Sequence, residues 1–252
     1  MNRMRSIYSL FLLILGTVSL CGQNVSGEIT YECTSYWVRI MEELPYLSQA
    51  KKDRAMLTWG SDDGYSSNYI LRFTANESSY THDETAATSE DNGWAWRKDD
   101  YLIHRDLQNM RRTDWMEMLD RTYLVEDDLQ FPKWKIRTEI KDIQGYVCMS
   151  AETWDTIKNQ HIIAWFTDEI PVPVGPEMLC GLPGAILEME VNGGALIVTA
   201  TKIDLKPMPD GVGLPKRMKG KKIDLAQYQD LIRTYLKDSV GAERNPYWSI
   251  RY

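Results

Sequence analysis

Three histidines offer imidazole for proton transfer near neutral pH, and two of them sit beside carboxylates. His82-Asp83 and His104-Arg105-Asp106 are pairs of the kind that tune a general base, whereas His161 opens a strand and reads as a surface residue. Carboxylates cluster at Glu126-Asp127-Asp128, Asp168-Glu169 and Glu188/Glu190. A glycoside hydrolase needs two acids facing each other across a substrate, and sequence neighbours on a strand or turn do not establish that. Solvated faces and turn ends account for them. Met116, Met118, Met178 and Cys180 carry sulfur of the type that holds a soft metal such as copper(I), but methionine filling gaps in a core explains them better. There is no G-x-S-x-G elbow, no H-E-x-x-H, and no glycine-rich loop followed by Lys-Ser or Lys-Thr. No metal or cofactor is expected. The larger excess is aromatic: with nine tryptophans and fourteen tyrosines, most pack a core, while Trp94, Trp96 and Trp165 are candidates to line a groove for an apolar or sugar ligand.

The elements that must position these residues are mostly strands. Ile29, Tyr31 and Cys33 alternate with Thr30, Glu32 and Thr34, the period-two pattern of a half-buried strand, which continues through Tyr36 to Ile40. Residues 46–55 form a loop or short helix. Short runs rich in aromatic and β-branched residues follow at 69–73, 78–82, 101–105, 114–118, 121–126, 134–140, 146–151 and 161–167, with an exposed acidic loop over 83–93. Three prolines make 169–176 extended and polyproline-like. Leu182-Pro183-Gly184-Ala185 has the composition of a type II turn. Asn192-Gly193 signals a hairpin between the runs 185–191 and 195–203. One helix is clear: Asp224 and Gln227 form a capping box, and Leu225, Tyr228, Leu231, Ile232, Tyr235 and Leu236 share a face. The predicted fold is mainly β within the α+β class. It is one large curved antiparallel sheet, open or barrel-like, with a C-terminal amphipathic helix packed on it.

Arg3 and Arg5, the apolar run Ile7 to Leu20, and Ser19-Leu20-Cys21-Gly22-Gln23 form an export signal, so residues 1–22 read as a signal peptide and 23–252 as a single β-rich domain. Lipidation at Cys21 is the alternative. Leu20 stands where a lipoprotein signal wants a small residue. No second run is long enough to cross a membrane. The net charge of −7 argues against nucleic acid. Cys33, Cys148 and Cys180 remain after cleavage and allow one disulfide of open pairing.

Several blocks occur in order: Trp134-Lys135-Ile136, Ile143 to Cys148, Ala164-Trp165-Phe166-Thr167, Ile170-Pro171-Val172, Gly175-Pro176, and Gly181-Leu182-Pro183-Gly184-Ala185-Ile186. Together they resemble the GLPGLI family of exported Bacteroidota proteins. Trp165, Pro171, Gly175, Pro176, Gly181, Leu182, Pro183 and Gly184 carry the likeness, with Ala185 where the family has leucine. Cys180 replaces a more usual aromatic residue, and the resemblance thereby opens a Cys148–Cys180 bridge. The resemblance implies an envelope location, in the periplasm or at the outer membrane, and company with outer-membrane transport proteins. It carries no catalytic residues. The expected function is therefore non-enzymatic binding of an apolar ligand or envelope partner. The alternative is an envelope hydrolase with a His/carboxylate site, in which His82, His104 or a carboxylate pair converges.

Overall fold

The computed structural model describes residues 25–60, 64–83 and 101–252. The predicted signal segment, residues 84–93 of the predicted acidic loop, Trp94 and Trp96 lie outside the described residues.

Among the described residues, twelve strands form one open sheet. In chain order they are β1 (Gly27–Ser35), β2 (Tyr65–Phe73), β3 (Glu77–His82), β4 (Tyr101–Asp106), β5 (Arg111–Met118), β6 (Arg121–Asp128), β7 (Lys135–Ile143), β8 (Tyr146–Asp155), β9 (Gln160–Thr167), β10 (Ala185–Val191), β11 (Leu196–Leu205) and β12 (Lys221–Ile223). Their spatial order is β12-β6-β5-β4-β3-β2-β1-β11-β10-β9-β8-β7, so β1 is central and two meanders extend from it. Every pair is antiparallel except β12 with β6, which is parallel because the chain returns from β11 to the far edge before entering the helix. The sheet is therefore mixed and mainly antiparallel. Bulges at Thr30/Tyr31 and Ile186/Glu188 interrupt the central ladders, where an extra residue bends a strand.

Alternation in β1 predicts its faces correctly: Ile29, Tyr31 and Cys33 are buried. That face, here called inner, continues through Leu71, Tyr80, Ile103, Val198 and Ala164, all buried. The strand does not continue to Ile40. Ser35 pairs with Leu196 and Tyr65, the first residues of β11 and β2, and the ladder ends one bond later, where the Tyr36 amide donates to the Ala195 carbonyl at 2.9 Å. The chain instead turns into α1 (Trp37–Glu42) and buries Ile40 and Met41. The 46–55 segment is a true helix, α2 (Gln49–Trp59).

Helix α3 (Leu225–Gly241) begins with the capping box expected of Asp224 and Gln227, both reciprocal bonds being present. Its stripe of Tyr228, Leu231, Ile232, Tyr235 and Leu236 packs on the core. Asp127 adds a further cap by accepting from the Leu225 amide at 2.9 Å.

The Leu182-Pro183-Gly184-Ala185 corner is not a type II turn. Gly184 does not have positive φ, and the Ala185 amide donates to the Ile170 carbonyl at 2.9 Å rather than across the turn. Glycine is required for close approach: a Cβ on Gly184 would overlap the Thr167 carbonyl oxygen. Gly184→Ala should therefore lower stability by about 1–3 kcal/mol, as overpacking does, and more if the backbone cannot yield. Urea denaturation measures it, and an unchanged midpoint would show that Thr167 moves freely. Positive φ is instead found at Gly181 (88°), beneath the Phe131 ring. The hairpin at Asn192 is longer than two residues: Asn192, Gly193 and Gly194 all take positive φ, and Val191 pairs with Leu196.

Candidate functional site

Charged groups converge in a cavity of about 100 Å³ between the inner face of the sheet, α3 and residues 250–252. Tyr101 reaches it from β4, Gln160 from β9, Asp155 and Lys158 from the β8–β9 turn, and Glu177 from the irregular segment before β10. Glu177 is held at φ 54°, a conformation uncommon for a residue with a Cβ. It accepts from Arg251 Nη2 at 2.5 Å, Arg251 Nε at 3.2 Å and the Tyr101 hydroxyl at 2.5 Å. The Arg251 guanidinium lies over the Tyr101 ring at 3.9 Å, and its Nη1 donates to the Tyr69 hydroxyl at 3.0 Å. Lys158 Nζ donates to the Tyr252 carbonyl at 3.1 Å.

The electrostatics assign a state to each group. Burial pushes the Glu177 carboxyl up, but Arg251, Tyr101 and Lys158 together outweigh it and hold Glu177 below the usual carboxylate range. Burial, then Glu177, pushes the Tyr101 phenol far up, so it stays a neutral donor. Burial lowers the Lys158 ammonium against the opposing pull of Asp155 and Glu177. The Glu177 and Arg251 side chains remain 15% and 27% exposed, so these deep charges stay in touch with solvent. A carboxylate, a neutral phenol and an amine of lowered basicity around one cavity form a constellation that acid–base hydrolysis uses.

A groove of about 610 Å³ adjoins the cavity and shares Asp155, Lys158, Tyr228 and Ile232 with it. Arg112 also lines it. Behind Arg112 lies a second buried network: Asp114, fully buried on β5, accepts from both Arg105 and Arg112.

The histidine–carboxylate pairs of the sequence do not converge. His82 lies on the inner side, its ring against Tyr69 at 4.5 Å. His104 faces the other side, 3.4 Å from Glu77, because Tyr101, Ile103 and Arg105 take the inner positions of β4. His161 pairs with Glu152 at 3.3 Å on that outer face. There Arg137, aided by Ser150, holds Glu139 at about 2, and Lys135 lowers Glu152 likewise to about 2 despite some burial. Glu188 bonds Lys141, and Asp168 and Glu169 are exposed. Trp165 is half-buried on the outer face under Lys141 Nζ at 4.3 Å, away from the cavity. Met116, Met118 and Met178 line the cavity with Met189. Cys33, Cys148 and Cys180 are each buried and free, so the Cys148–Cys180 bridge is not formed. Sequence reasoning missed Glu177, Arg251, Lys158 and Tyr101; the only local signal was an acid held in the apolar segment between Gly175-Pro176 and Leu179.

Residues 79–230 match the model of the N-glycanase peptide, N-terminal domain family. The chain belongs to this family. That membership corrects the GLPGLI assignment, for which no comparison gives support. Two crystal forms of PNGF-II share the fold, with TM-scores of 0.54 and 0.53 and identities of 18% and 17%. Each match covers 82% of this chain but only 33% and 32% of the solved chains, so this protein spans about a third of their length. No curated protein sequence matches the chain. Membership of this family also stands against the expectation of a non-enzymatic binder of an apolar ligand or partner. The cavity agrees, because a dry apolar cleft would not gather Glu177, Arg251, Lys158 and Asp155. Membership is compatible with export. Among the described residues no helix is long and apolar enough to cross a membrane.

Proposed function

We propose that this protein is a glycan-cleaving hydrolase of the N-glycanase type, exported to the periplasm or outer membrane, with its reacting groups in the cavity under α3. The observation that carries the reading is the family match over 79–230, the stretch that also supplies Tyr101, Asp155, Lys158, Gln160 and Glu177. Hydrolysis needs a proton for the leaving nitrogen and stabilisation of the charge that develops on the reacting carbon's substituents. Lys158, with its lowered basicity, is the candidate proton donor. Glu177, ionised against Arg251, accepts from substrate donors and orients them. Water reaches both.

Incubation of the full chain with an N-glycosylated peptide, followed by mass spectrometry of peptide and sugar, tests this. Glycan release is expected, and Lys158→Gln should reduce its rate by about 10²-fold or more while circular dichroism is unchanged. A folded protein that leaves glycopeptides and glycoproteins intact would sink the reading.

A further inference from the structure

We propose that the groove beside the cavity binds an anionic sugar residue, so that this protein takes acidic glycans in preference to neutral ones. The link to glycans rests on the hydrolase reading above; the anion site itself rests on the groove.

Its charged lining is Arg112, Lys133 and Lys158 against Asp155 alone, in a chain whose net charge is −7. Cations so concentrated in an acidic protein mark a place where the local field runs against the whole. Asp155 offsets one of these three cations. Its Oδ1 is committed to the backbone amides of Ile157 and Lys158, at 2.8 and 3.0 Å, and so fixes the turn. Arg112 is the strongest element. Its side chain is 8% exposed and shares the single Asp114 carboxylate with Arg105, so two guanidiniums face one anion. Arg105 Nη2 is buried with no hydrogen-bond partner, which is a second sign that positive charge and donors exceed what the protein supplies. An anion entering the groove would meet Arg112 where water is partly excluded and Coulomb attraction is strengthened. Gln130, Gln229 and Thr156 add the amide and hydroxyl groups that pair with sugar hydroxyls. The groove and cavity share Lys158 and Tyr228, so an acidic branch held in one places the rest of the glycan at the other.

The test uses the full chain and three free oligosaccharides of one core structure, neutral, sialylated and sulfated, titrated by calorimetry. The same protein is then assayed for release from sialylated and desialylated forms of one glycopeptide. Acidic sugars should bind about tenfold more tightly than the neutral one, a charge-assisted contact, with the preference falling as salt rises. Sialylated and sulfated sugars binding alike identifies charge as the feature read; preference for one identifies the source. Lys133→Gln, at an exposed position that folding tolerates, should bring the acidic affinity down severalfold toward the neutral value, and Arg112→Gln further where it folds. Equal affinity for neutral and acidic sugars overturns the proposal even if both glycopeptides are cleaved. Acidic preference without cleavage of any glycopeptide leaves the groove assignment standing and removes the hydrolase reading.

Discussion

Arg251→Met should destabilise the protein by about 3–5 kcal/mol at pH 7, the scale for stranding one partner of a buried ion pair. Arg251 donates two hydrogen bonds to Glu177, whose side chain is only 15% exposed, and Lys158 is the other cation that holds its carboxyl down. Without Arg251, burial acts on Glu177 with much less opposition, and its carboxyl rises above the ordinary range. The pH dependence then reverses sign. In the parent protein Glu177 titrates below its unfolded value of about 4.3, so its contribution is present above that pH and is lost as pH falls through the folded value. In the variant, falling pH protonates the stranded carboxylate and relieves the penalty. Urea midpoints of the two proteins should therefore converge between neutral pH and about pH 3. A gap that stays constant would show that Glu177 is not the group left uncompensated.

Asp114→Asn should have an effect of similar size, about 3–5 kcal/mol, for the opposite charge. Asp114 has no exposure and its two oxygens accept from Arg105 and Arg112, which are themselves 4% and 8% exposed at their side chains. Burial disfavours the Arg105 guanidinium and Asp114 is the main group opposing it, so loss of the carboxylate strands two buried cations. Asparagine offers one carbonyl oxygen to two guanidiniums and adds a donor where none is wanted. A combined Arg105→Leu, Asp114→Leu, Arg112→Met variant should recover much of the loss, since replacing a whole buried ionic group by apolar side chains is often neutral or better. A fall of under 1 kcal/mol for Asp114→Asn alone would mean that solvent reaches the network. The triple variant also lacks the guanidinium that the groove presents, so its glycan affinity reports on that assignment independently of stability.

The local features of this protein were legible in its sequence because local physics determines them. Period-two alternation located β1 and most of the meander, since one face of each strand must be apolar to join the core. Asp224 and Gln227 marked the start of α3, since the first amides of a helix need partners from nearby side chains. Three further features depended on what lies across the fold. Tyr36 to Ile40 has strand composition but becomes helix, because the ladder partners end at Leu196 and Tyr65. The Gly-Leu-Pro-Gly motif suggested one family and one turn. Its glycines instead answer to the Thr167 carbonyl and the Phe131 ring, which only packing brings there. Glu177 meets Tyr101 across 76 residues and Arg251 across 74. A carboxylate gains its state, and a cavity its chemistry, from neighbours within a few ångströms, and sequence spacing does not record them once a twelve-stranded sheet has brought distant segments together.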